Sequence, residues 1–435
     1  MKRTLMIVTA AFCLSGFAVP VVTDAIVRQN WPWNSKITAD FVLAGVTGCA
    51  DVTFHAYNGE TDLGVVPAPA ISRSARALKG DRLHHFEIDP RLCAFAGLGR
   101  LDDFRLEITA EESISDEVLY RIVDLTGNFG HTDVTRGDIL DGKYGTYETD
   151  PTWIPAEIKA RHERPVLFVT GFTNDTAYAT DKLVLRRIPA GTYTVGKTGN
   201  SSTGKHTVTL TKDFWIGIFE LTQKQWFNAY GTTVSCAYDG DCRPVQSNVS
   251  YDMIRGYSGD NKDYDWPNGH EVRPSSFMGA LRQKTGLSFD LPTRGEWLVA
   301  ASAGAYDARC YDGTTPAVNT SAESGWYLGR NGSNANSTGD PLGGTSNVGK
   351  YRANAYGLYD TLGNVAELVL DWVGTNIADG SVLTNPEGPV SGTQRMQCGC
   401  HYGWSLTGGM TLTDGGSGLA PGMGNHYTGF RVAIR

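Results

Sequence analysis

The stretch 354–373 reads NAYGLYDTLGNVAELVLDWV, and its reading decides the fold of the larger part of the chain. Asp360 and Glu367 stand seven residues apart with Gly363-Asn364 between them. Glycine and asparagine tolerate the backbone of a chain reversal, so the turn brings the two carboxylates together. Carbonyl oxygens of the same turn point inward as well. Two carboxylates and a few carbonyls make a hard-oxygen site, which suits calcium. A plainer alternative stands beside it: an Asp at a helix N-cap and a Glu on the surface.

Upstream of the turn, from about 182, short elements alternate. KLVLRRIPAGTYTVG predicts a strand entering a turn, and HTVTLTKDFWIGIFELT predicts strands with Val208, Leu210, Phe214, Ile216 and Ile218 on one buried face. Thr222 with Gln225, and Thr293 with Glu296, are capping boxes that start two helices. Trp226 and Phe227 are expected on the inner face of the first, Trp297 and Ala300 on that of the second, which Gly304 ends. A third helix, SSFMGALRQKTG, starts from Ser275 or Ser276 and stops at Gly286. Glycine, 52 residues in all and frequent after 300, predicts long ordered loops there. The region 182–435 therefore reads as α+β with a modest sheet, and its loops need something to hold them.

Toward the N-terminus the pattern changes. ITADFVLAGV, DVTFHAYNG, LHHFEI, FRLEITA and VLYRIVDL are short alternating runs, and Asn58-Gly59 is a hairpin signal. Residues 30–128 predict a small antiparallel sandwich. His84 and His85 are adjacent, so on a strand they face opposite sides: one packed, one exposed. Residues 129–181 read as a polar connector. Residues 1–25 read as a secretory signal: Lys2 and Arg3, an apolar run over 5–22, then small residues with a cleavage position at Ala25. An uncleaved membrane anchor is the alternative, and the only way this chain meets a membrane. Export predicts a secreted, periplasmic or cell-surface protein.

Seven cysteines follow the signal. Cys49 and Cys93 are natural disulfide partners in the N-terminal region, and Cys236 and Cys242 bracket a loop that a bridge would close. Cys310, Cys398 and Cys400 form an odd set. Acidic residues number 46 against 38 Lys and Arg, a net charge of −8 with no long basic run, which argues against nucleic acid as a partner.

The order IPAGTYTVG, HTVTLTKDFWIGIFELTQKQW, PVQSNVSYD, LPTRGEW, NAYGLYDTLGNVAEL and a terminal GFR resembles the formylglycine-generating enzyme (sulfatase-modifying factor) family over about 182–435. The resemblance implies a loop-rich fold related to C-type lectins and stabilised by calcium. For the turn it implies calcium ligands from the side chains of Asp360 and Glu367 and the carbonyls of Gly363 and Val365. A second calcium site, frequent in the family, would fall in 326–350, where this sequence diverges.

Active members of that family convert a sulfatase cysteine to formylglycine with oxygen and two copper(I)-binding cysteines. Soft thiolates select copper(I). Their pattern Arg-Val-x-Arg-Gly-Gly-Ser-Trp corresponds here to Arg395-Met-Gln-Cys-Gly-Cys-His-Tyr402. The two cysteines that follow it would stand near Trp404 and Gly409, and no cysteine occurs after Cys400. Leu368 replaces the aromatic residue after the Glu of the turn. The family's redox pair is therefore not carried over. Cys398 and Cys400 remain as a displaced pair, expected on one face of a strand, with His401 or His426 as helpers; otherwise one of them bonds to Cys310. The expected function is a binding module whose loops 396–404 and 409–427 take a glycan, peptide or protein ligand. The alternative is an active oxidase, which alone would need copper.

Overall fold

The computed structural model describes residues 20–435 apart from 31–33, 47, 99–100, 153, 155, 163, 201, 258, 305–343, 375 and 403–417. The chain divides into two units, 1–118 with 135–143, and 119–134 with 144–435. No helix among the described residues is long and apolar enough to cross a membrane.

Alternation builds most of the first unit, a β-sandwich that also carries the short helix Arg136–Leu140. One sheet joins Val21–Gln29, Ile37–Ala44 and Leu83–Ile88. The other centres on Cys49–Asn58, flanked by Phe104–Glu112 on one edge and by Thr61–Val65 and Leu78–Lys79 on the other. Every second residue points inward, so Ala39, Phe41, Leu43, Phe54, Ala56, Phe86 and Ile108 are all buried. Phe41 stacks on Phe86 at 5.7 Å between ring centroids, and Phe54 meets the same ring edge-on at 5.2 Å. The hairpin at Asn58-Gly59 forms as expected, with Asn58 opposite Thr61 and Gly59 at φ +59°. His84 is buried and His85 exposed. Ala25 lies inside the strand Val21–Gln29, whose Val22 is buried opposite Leu43.

The second unit is the α+β, loop-rich, C-type-lectin-like fold. Its largest sheet runs Phe289–Asp290, Ala433–Ile434, Phe214–Gly217, Lys182–Ile188, Val118–Asp124 and His131–Thr135. The run VLYRIVDL, grouped by its alternation with the N-terminal strands, thus pairs with Lys182–Ile188. Local pattern identifies a strand but says nothing about its partner. Residues 129–181, read as a connector, are folded: Leu167–Val169 pairs with Tyr147–Thr149, and Val166, Phe168 and Phe172 are buried. Their apolar triplets are too short to stand out in a polar stretch.

The three helices start where their caps predict. Thr222 and Gln225 close one box before Gln223–Tyr230, and Thr293 and Glu296 close the other before Arg294–Ser302. Ser276 caps Phe277–Thr285, and Gly286 ends it in the left-handed region. Trp226 is buried against Phe277 (centroids 4.6 Å apart, nearly parallel), with Phe430 edge-on. Phe227 instead lies 40% exposed, because it sits one residue, about 100°, round the helix from Trp226. Arg294–Ser302 is buried nearly all round, and Ala303 rather than Gly304 takes its left-handed C-cap.

Candidate functional site

The acidic turn feeds the strand Ala366–Trp372, buried along its whole length. Asp360 and Asn364 both have φ +54°, and Gly363 has φ +98°. This backbone folds Asp360 and Glu367 into the interior, where they are 5% and 0% exposed. The surface-Glu alternative is thereby ruled out.

Glu367 is held by a bidentate pair. Arg431 donates from Nη2 to Oε1 at 2.5 Å and from Nε to Oε2 at 2.6 Å, and Trp297 Nε1 donates to Oε2 at 2.7 Å. Arg431 also donates to the carbonyls of Gly217 and Tyr359. A third buried carboxylate, Glu220, accepts from Asn364 Nδ2 at 2.6 Å and from the Val365 N–H at 3.0 Å. Asn364 Oδ1 in turn accepts from the Ser346 N–H. Sequence reading singled out neither Glu220 nor Arg431 nor the Trp297 indole as a partner. The available signal was their place in the words FELT, GFR and RGEW.

Three buried carboxylates here face one buried guanidinium. Burial, then the charges of Asp360 and Glu367, push the Glu220 carboxyl well above its usual range. Burial raises Asp360 to about 6, against the opposing pull of the Gly349 N–H and Arg431. Asp360 Oδ2 accepts that N–H at 2.7 Å, while its Oδ1 is buried with no hydrogen-bond partner. A buried, unpaired carboxylate oxygen is costly unless a cation completes it. Glu367 Oε1 accepts one hydrogen bond, so it keeps lone-pair capacity. No three His, Cys, Asp or Glu side chains are grouped to hold a metal among the described residues. A cation here would therefore depend on the Gly363 and Val365 carbonyls as well as Asp360 and Glu367, and a hard-oxygen set of that kind fits calcium. Most of the candidate second site, 326–343, lies outside the described residues.

The cysteine segment packs directly on the turn. Gly363 N–H donates to Gly399 O at 2.7 Å, and Tyr402 N–H to Asn364 O at 2.9 Å. Cys398 ends the strand Arg395–Cys398, opposite Glu367. The shared-face expectation for Cys398 and Cys400 fails, because the strand stops there: Gly399 and Cys400 have φ +87° and +60°. Both side chains are buried, at 5% and 1%. Burial pushes the Cys398 thiol far above its ordinary range; Asp371 and Glu367 add to this and Arg294 opposes it. A neutral, enclosed thiol is a poor nucleophile and a poor copper(I) ligand. Cys310, Trp404 and Gly409 lie outside the described residues.

Neither expected N-terminal nor loop disulfide is closed. Cys49 and Cys93 are both thiols, as are Cys236 and Cys242. Cys93 Sγ donates to Asp89 O and Cys236 Sγ to Gln246 O. Sharing a region, or bracketing a short loop, does not supply the geometry a bridge requires.

Beside Cys400, His401 and His426 both lie tilted against Tyr427, with centroids 4.1 and 3.9 Å away, and Tyr402 joins them at 5.1 Å from Tyr427. Burial and the neighbouring His426 lower His401 to about 4. The described ends of the two candidate ligand loops thus meet in one aromatic cluster.

A lectin-like α+β domain, with the segment 398–402 bonded to a buried acidic turn and Arg431 of a late Gly-Phe-Arg closing on that turn, is the class these features define. The chain belongs to the FGE-sulfatase family: the pattern of the sulfatase-modifying factor enzyme 1-like domain matches residues 172–435. It is 31% identical over 221 residues to chaperone protein LppX of Paenibacillus barcinonensis, covering 46% of this chain and 75% of that one. It is 32% identical over 160 residues to the formylglycine-generating enzyme of Thermomonospora curvata, covering 32% of this chain and 47% of the enzyme. Among solved structures, Treponema denticola variable protein 1 aligns with a TM-score of 0.42 and 25% identity, over 58% of this chain and 95% of its own.

Proposed function

We propose that this is an exported binding protein of the family, in which a calcium-held scaffold presents loops to a polypeptide ligand without oxidase chemistry. The observation that carries this reading is Cys398: it is enclosed, its thiol is held neutral, and no cysteine follows Cys400 in the sequence. A relative named as a chaperone protein supports a polypeptide as the ligand class, ahead of a glycan. The contact surface is formed by the loops 396–404 and 409–427, whose Tyr, His and Gly content suits adaptable recognition. Calcium would be held by Asp360, Glu367 and the carbonyls of Gly363 and Val365, fixing the loops above them.

The test is direct. Purified protein with copper and a sulfatase-motif peptide is expected to consume no oxygen above background and to leave the peptide cysteine unmodified by mass. Conversion of that cysteine to an aldehyde would overturn the reading and restore the oxidase. Export is tested by N-terminal sequencing of secreted material. A cut at Ala25 would divide the strand Val21–Gln29. A cut after Ala18, with Gly16 as the second small residue, leaves it whole and is the expected result.

A further inference from the structure

Strand Cys49–Asn58 of the sandwich is paired along one whole edge with Phe104–Glu112. Its other edge is interrupted. Cys49 and Ala50 pair with Lys79 and Leu78, and His55 to Asn58 pair with Thr61–Val65. Between these ladders no strand covers 51–54. The segment 66–75 arches over the gap, with Val66 N–H donating to Phe54 O and Val52 N–H to Ala75 O, both at 2.8 Å. Backbone groups alternate sides along an antiparallel strand. The Val52 carbonyl and the Phe54 N–H therefore face the same opening, beyond the last ladder pair, His55 with Val65.

Under the arch lies a cavity of about 310 Å³, with Phe54, Val66 and Ile71 supplying apolar wall and Arg73, Arg76, Asp51, Glu111 and Asp141 polar wall. The two arginines differ. Arg76 is committed to Asp141 at 3.0 Å and Asp51 at 3.7 Å. Arg73, an exposed side chain, lies over the Phe86 ring at 4.0 Å, donates to the His85 carbonyl at 3.3 Å and meets His84 Nδ1 at 3.4 Å. Among the described residues Arg73 pairs with no carboxylate. The cavity thus offers an amide-complementary carbonyl and N–H, apolar wall, and at its exposed rim the Arg73 guanidinium, beside the carboxylates of Asp51, Glu111 and Asp141.

We propose that this cavity binds the C-terminal end of an extended peptide. An N–H of its last residues donates to the Val52 carbonyl, a carbonyl accepts from the Phe54 N–H, and the terminal carboxylate meets Arg73. A chain end is favoured over a through-running strand because both flanks of the gap are already paired, leaving room for about one bridging residue. The volume is at the small end of ligand pockets and holds a few residues at most.

The experiment uses the full chain, immobilised, and a randomised hexapeptide mixture with free C-terminal carboxylates beside the same mixture amidated. The acid mixture is expected to be retained about three-fold better than the amide, the effect of one solvent-exposed charge pair. Folded Arg73→Gln, checked by circular dichroism, should lose that preference. Hydrogen exchange at the Phe54 amide should slow when the acid mixture is added. Equal retention of the two mixtures, retention of neither, or an unchanged preference in folded Arg73→Gln would each overturn the proposal.

Discussion

The acidic turn 360–367 and the segment 398–402 are joined by backbone hydrogen bonds and by the pairing of Glu367 with Cys398, yet they treat charge in opposite ways. The turn gathers Asp360, Glu367 and Glu220 in the interior around a single Arg431. The adjoining segment buries Cys398 as a neutral thiol. Burying charge is expensive, and a fold tolerates it where the charges are paired or bind an ion. The first region therefore needs its carboxylates paired, as Glu367 is by Arg431, or completed by an ion. The second has the packing of a filled core position, where a catalytic thiolate would need access and a depressed pKa.

The sharpest way to break this contrast is Arg431→Met. It leaves Glu367 buried without its bidentate partner, and unfolding in denaturant should show a loss of about 3–5 kcal/mol or outright failure to fold. A variant as stable as the parent would mean that the turn's charges are not balanced by this pair. Next in size is calcium. Chelator should lower the melting temperature by roughly 4–10 °C, the scale of a saturating ligand on a domain of this size. In Asp360→Ala the response should vanish, and unchanged melting of the parent in chelator would remove calcium from the turn.

Asp371 gives the pH test, because it lies on the strand that the turn feeds and faces the N-terminus of the helix Arg294–Ser302. Its Oδ2 accepts the Arg294 N–H at 2.7 Å. Burial raises its pKa from 3.8 to about 6, with Arg294 opposing. The folded state then binds the extra proton between these values. Stability from this group is greatest below about pH 4 and falls as pH rises to about 6, by on the order of 2–3 kcal/mol. Asp371→Asn should flatten that slope in urea titrations across the window; an identical slope would reassign it to another carboxyl. The smallest effect belongs to Cys398. Cys398→Ala should cost about 1 kcal/mol of packing. In the parent, iodoacetamide should label Cys398 only after denaturant is added, and rapid native labelling by mass would show an accessible thiol and weaken the comparison.

Much of this was legible from the chain. Capping boxes at Thr222 and Thr293, and the left-handed stop at Gly286, depend on residues within one turn of each other, so local sequence suffices. The same holds for the hairpin at Asn58-Gly59. Phe227 was misread because a capping signal fixes where a helix starts and not how wide its buried face is. The strand 118–124 was grouped with the wrong neighbours, since alternation is the same whichever sheet a strand joins. Glu220 and Arg431 escaped notice as site residues because they lie 211 positions apart, and nothing local announces that each will face Glu367 or Asn364. The spacing of Cys398 and Cys400 misled in another way: a period of two holds only while the strand continues, and it ends at Gly399.

By itself, the sequence determined the order of elements, the acidic turn with its reversal at Gly363-Asn364, and the absence of any cysteine after Cys400. These are matters of residue type and short-range geometry. Only the tertiary structure decided that the turn's carboxylates are buried, that Arg431 and Trp297 bind Glu367, and that Asp360 keeps an oxygen without a partner. Charge balance inside a protein is a sum over groups brought together by the fold, and chain order does not contain it.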